Sequence, residues 1–163
     1  MINIILIISF ILEGIISLYI PSIPYELNLL YTNLVLICII FLYQFYKNKN
    51  IYYLVLVLIG LLYDLVYTDV LLLHSFLFLI IGILINLYDK KVGITKNNLF
   101  IVVLLEIFIY DLLYCLLLVL FQNKDFSIIE ILYKVINSYL INVLYAYILF
   151  IFFPFKRKHK RRK

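Results

Sequence analysis

Six runs of about twenty apolar residues, parted by short polar breaks, constrain this chain more than any other feature. A helix rises about 1.5 Å per residue, so roughly 20 apolar residues cross the ~30 Å hydrocarbon core of a bilayer. The runs lie at about 2–20, 28–46, 51–68, 71–88, 98–121 and 130–153. Composition points the same way: 67% of the residues are hydrophobic and 14% charged, against roughly 45–50% and about 25% in a soluble domain. No soluble interior could hide so much apolar surface, so the bilayer must be the solvent. The expected fold is an all-α integral membrane protein, a compact six-transmembrane-helix bundle over 1–153, followed by a basic tail at 154–163.

The breaks carry their own reasons. "PSIPYE" holds two prolines, which remove backbone donors and disfavour helix just before them. "KNKN", "DKKVGITKN" and "QNKDFS" interrupt with charge, Gly and Asn. "YTDV" is the shortest break, so 51–88 reads as a tight helical hairpin. The first run lacks a basic leader and a small-residue cleavage site, and reads as a retained span. Cys38 and Cys115 fall in mid-span without a paired spacing and read as packing residues.

Basic residues set the expected orientation, because Lys and Arg near span ends favour the cytoplasm. Lys47 and Lys49, then Lys90, Lys91 and Lys96, then seven in the tail "KRKHKRRK" fall on one face, twelve of the fourteen in the chain. Both termini are therefore expected to be cytoplasmic. The tail contributes +7 to a formal net charge of +5. It reads as a topological anchor on anionic lipids, with no nucleic-acid partner. Tyr19, Tyr25, Tyr46, Tyr52 and Tyr88 lie near span ends and read as an interfacial belt.

Well inside the spans sit four carboxylates, Glu13, Asp64, Glu106 and Asp111, and one full cation, Lys134. Insertion scales charge about 2.5–3.5 kcal/mol for Asp at a helix centre, so such groups face the bundle or water. Spacings of four place them on polar or small stripes: Ser9, Glu13 and Ser17; Gly60, Asp64 and Thr68; Asn98, Glu106, Tyr110 and Tyr114; Lys134, Ser138, Asn142 and Ala146. Such stripes pack membrane helices through close approach and interhelical hydrogen bonds. Counted along the helices, Asp64, Asp111 and Glu13 reach similar depths in the outer half, where three carboxylates could meet with Lys134 entering from outside. His74, just past the third break, reads as a capping or interface group rather than a metal ligand. No nucleophile–base pair, HExxH, acidic metal motif or phosphate loop is present, so no catalysis, metal or cofactor is expected.

The stretch "GLLYDLVYTDVLLLHSFLFLIIG" carries a family resemblance. Gly60, Asp64, His74 and Gly82 match the signature of the rod-shape-determining protein MreD family: Gly-x-x-x-Asp closing one span, a short turn, then His and a later Gly in the next. Leu72 stands where the family usually has Gly, and Val70 where Pro is common. The chain's length, span plan and basic tail are similar too. The resemblance implies a non-enzymatic subunit of the bacterial elongation machinery. Its partners would be a membrane-anchored MreC-like protein and, indirectly, MreB filaments and the peptidoglycan polymerase pair. It also implies a fold similar to the substrate-binding subunits of ECF-type vitamin transporters. Vitamin capture is therefore the alternative function, and a membrane enzyme on lipid-linked substrates a third.

Asp64 is expected to face the bundle, tying the third helix to the fourth through the turn or pairing with Lys134. The interaction candidates are thus Glu13, Gly60, Asp64, His74, Gly82, Glu106, Asp111, Lys134, Ser138 and Asn142.

Overall fold

A computed structural model describes residues 2–19, 32–68, 70–95, 98–122 and 128–152. They form six helices: α1 (Ile2–Tyr19), α2 (Leu34–Leu42), α3 (Lys49–Tyr67), α4 (Leu73–Lys91), α5 (Leu99–Gln122) and α6 (Ile128–Phe152). No strand occurs among the described residues. Among the described residues, three helices, α3, α4 and most of α5, are long and apolar enough to cross a membrane.

The faces divide as a bilayer-solvated bundle requires. α3 turns Ile51, Leu54, Leu58, Leu62 and Leu65 outward and buries Tyr52, Leu56, Ile59, Gly60 and Asp64. The apolar residues outside are what lipid accepts, while the polar ones are withdrawn into protein. α3 and α4 form the most extensive pair, and a bend and turn at 70–72 lead into α4.

α2 is the centre. Its nine residues are all buried, and it packs against α1, α4, α5 and α6. A helix that is apolar all round belongs in such a position. At about 1.5 Å per residue it rises only ~13 Å, less than half a hydrocarbon core. In the described part of the apolar run expected to form a span over 28–46, Thr32 and Asn33 are non-helical, the helix starts at Leu34, and the chain turns at 43–45. Residues 28–31 lie outside the described part.

Local chemistry closes the ends. Asn48 caps α3, its side chain accepting from the Asn50 N–H at 3.0 Å. Gly93, at φ +83°, ends α4 in a left-handed residue whose N–H donates to the Tyr88 carbonyl, a conformation glycine adopts without steric cost. Asn98 then ties the next turn, accepting from the Thr95 N–H and donating to the Gly93 carbonyl.

Tyr52 corrects the belt expectation. It is fully buried, and its hydroxyl donates to the Ile39 carbonyl at 3.2 Å. The small residue at Gly82 makes the room: a Cβ there would meet Leu56 and Tyr52. By contrast Tyr19 is 84% exposed. Tyr25 lies outside the described residues. Cys38 and Cys115 are free and buried.

Candidate functional site: a buried polar centre

The end of α3 carries Asp64 with 0% of its surface exposed. Its carboxylate accepts from the His74 N–H at 3.0 and 3.1 Å and from the Ser75 N–H at 3.4 Å. These are two of the donors that a helix start leaves unsatisfied. A capping Asp, Asn, Ser or Thr normally accepts them from the residue just before the helix. Here that residue is Leu72, which has no acceptor and sits at φ 69°. Asp64 supplies the missing cap from the neighbouring helix. Its negative charge also meets the positive end of the α4 dipole.

The His74 ring completes the clamp. Its Nδ1 lies 2.7 Å from Asp64 Oδ1, and an ionised carboxylate only accepts, so the ring nitrogen donates. Thr68 adds a further donor to the same oxygen at 3.3 Å. Tyr63 lies against the ring at 4.3 Å between centroids, with Tyr114 at 5.5 Å and Phe78 at 5.9 Å. Gly60 lets the two helices come this close, since a Cβ there would meet the Ser75 and His74 backbone. The Ser75 hydroxyl donates across the same seam to the Val57 carbonyl at 3.2 Å. Gly60, Asp64, His74 and Gly82 thus all lie on the α3–α4 seam.

A second clamp holds α2. Glu13 on α1 accepts from the Val35 N–H at 2.8 Å through Oε2 and from the Tyr63 hydroxyl at 2.9 Å through Oε1. Asn142 on α6 accepts from the Asn33 N–H at 2.8 Å. The Asn33 amide donates to Asp111 on α5 at 3.2 Å. Side chains from α1, α5 and α6 therefore surround the start of α2. This is how irregular backbone is tolerated at depth, by burial against protein donors and acceptors. α1 is tied in further through Tyr67, whose hydroxyl donates to the Phe10 carbonyl at 2.9 Å, and through Ser9 and Tyr145, 2.6 Å apart.

The three carboxylates expected to converge belong to one polar region but hold different partners: Asp64 takes α4, Glu13 takes α2 and Tyr63, and Asp111 takes Asn33. Glu106 is buried apart from these clamps, with one carboxylate oxygen lacking a hydrogen-bond partner. Lys134 and Ser138 belong to α6, but their side chains lie outside the described residues, as does Asp69.

Sequence reasoning missed Asn33 and Tyr63. The polar pair Thr32–Asn33 inside an apolar run was the available signal for the first. Beside the clamps lies a cavity of about 170 Å³, whose lining includes Glu13, Asn33, Tyr63, His74, Tyr110 and Tyr114.

No group of three or more His, Cys, Asp or Glu side chains able to hold a metal is found among the described residues. No curated protein matches the chain, and no solved structure does. The model of the family described as rod shape-determining protein MreD matches residues 1–158, taking in all six helices and both clamps. This chain belongs to the MreD family of rod shape-determining proteins.

Proposed function

We propose that this protein is a non-enzymatic, multi-pass subunit of the bacterial elongation (rod) complex in the cytoplasmic membrane. In this reading it binds an MreC-like membrane-anchored protein and supports lateral peptidoglycan synthesis and cell shape. MreB filaments and the peptidoglycan polymerase pair are reached indirectly, and the basic tail meets anionic lipid. Six spans with both termini cytoplasmic complete the proposal.

One observation carries it beyond family membership. Asp64, Glu13 and Asn142 each engage backbone donors of a neighbouring helix. Groups used in this way fix a bundle's shape, and a bundle of fixed shape can present a membrane surface to a partner. Vitamin capture is less well supported. Pockets that enclose ligands of drug size measure roughly 300–1,000 Å³, and the cavity described beside the clamps, taken among the described residues, measures about 170 Å³.

The test is a pull-down of the tagged protein from native membrane in mild detergent, with mass spectrometry of proteins and small molecules. Recovery of an MreC-like protein is expected. Recovery of a transporter ATPase module instead would overturn the reading. Reporter fusions at each terminus test the topology, and an extracytoplasmic signal from either end would refute it.

A further inference from the structure

The cavity beside the two clamps gathers one carboxylate and several tyrosine rings around a single space. The donors that reach the Glu13 carboxylate, the Val35 N–H and the Tyr63 hydroxyl, are neutral. No basic side chain among the described residues pairs with it. A buried carboxylate held by neutral donors alone ionises only at a cost in low dielectric, and a cation beside it would offset that cost. Around the same space stand four tyrosines, Tyr63, Tyr67, Tyr110 and Tyr114, with the hydroxyl-bearing Ser17 close by. Aromatic faces carry negative potential and attract cations, and rings grouped about a pocket are the usual recognition of ammonium groups. A volume of about 170 Å³ suits a group the size of ethanolamine or choline.

We propose that this cavity binds a small ammonium group, primary or quaternary, with Glu13 as its counter-charge and the tyrosine rings as its walls. The group could arrive as a free amine or as the headgroup of a membrane lipid, and both offer the same cation. The site is independent of partner binding in the elongation complex, so either proposal can fail without the other.

The test uses the full-length protein in mild detergent and compares choline with 3,3-dimethyl-1-butanol, its neutral isostere, by thermal unfolding and calorimetry. Saturable stabilisation by choline, at least tenfold tighter than by the alcohol, is expected, as is loss of that preference in Glu13→Gln. Ethanolamine measured against ethanol repeats the comparison for a primary amine. Native mass spectrometry from nanodiscs of phosphatidylethanolamine or of phosphatidylglycerol alone separates the sources. Retention of the first lipid identifies a headgroup, whereas binding of the free amine in the second identifies a soluble ligand.

Equal binding of amine and alcohol by the wild-type protein, or no saturable binding in either membrane, would overturn the proposal. Both results are read on the wild type, so they hold whether or not Glu13→Gln folds. A folded Glu13→Gln that binds choline as tightly as the wild type would also overturn it.

Discussion

Two helix starts inside this bundle solve one problem by different routes. α4 begins immediately after a short turn, and the carboxylate that caps it comes from Asp64, ten residues earlier. α2 begins deep among other helices, and Glu13, twenty-two residues before Val35, shares its capping with Asn142, more than a hundred residues away from Asn33. Both satisfy backbone donors from side chains within the bundle, and satisfying such donors is the controlling constraint inside a membrane protein. The first is a self-contained hairpin that one segment can build. The second exists only after five helices have assembled.

The comparison breaks most sharply at Asp64. Asp64→Leu removes the acceptor for two backbone N–H groups and the His74 ring at a site with no exposure. Breaking a buried pair from one side costs about 3–5 kcal/mol, so little folded protein should survive in thermal unfolding in mild detergent or in membrane abundance. Asp64→Asn keeps a carbonyl acceptor and should fall between. If both variants match the wild type in abundance and midpoint, the cap is not what holds this hairpin.

Glu13→Leu attacks the other clamp. It strands the Val35 N–H and the Tyr63 hydroxyl at about 1–3 kcal/mol, less than Asp64→Leu because Asn142 still holds Asn33. A larger loss than at Asp64 would invert the ranking of the two clamps.

The seam itself is tested by its glycines. A Cβ at Gly60 meets backbone of Ser75 and His74, whereas one at Gly82 meets mainly the Leu56 side chain. Overpacking costs roughly 1–3 kcal/mol, and backbone yields less readily than a side chain. Gly60→Ala should therefore lower the unfolding midpoint more than Gly82→Ala.

The smallest effect is a gain. Leu72 holds a left-handed conformation at φ 69°, which costs a non-glycine residue on the order of 1 kcal/mol or more. Leu72→Gly should raise stability by about 1 kcal/mol, read as a higher midpoint. No change there would mean that the leucine side chain offsets its strain through contacts.

The difference between the clamps also explains what was readable. Gly60, Asp64, His74 and Gly82 stand within twenty-three residues and repeat at helical spacing, so their meeting on one seam follows from a hairpin. The departure at Leu72, where the resemblance led one to expect Gly, falls at a position of positive φ, which favours glycine. Asn33 was overlooked for the opposite reason. It sits in an apolar run whose length suggested an unbroken span, and its partners Asp111 and Asn142 lie on helices far along the chain. Tyr52 misled in the same way, since closeness to a span end suggested an interface, but packing under Gly82 buried it.

By itself the sequence determined the solvent, the helical class, the polar stripes and the α3–α4 signature, because hydropathy and helical period are local properties of a chain. Only the tertiary structure decided which carboxylate caps which helix, that α2 is a short buried core, and that a tyrosine-walled cavity opens beside Glu13. Those facts depend on how distant helices approach one another, and interhelical approach is fixed by side-chain volume and shared hydrogen bonds that no single segment contains.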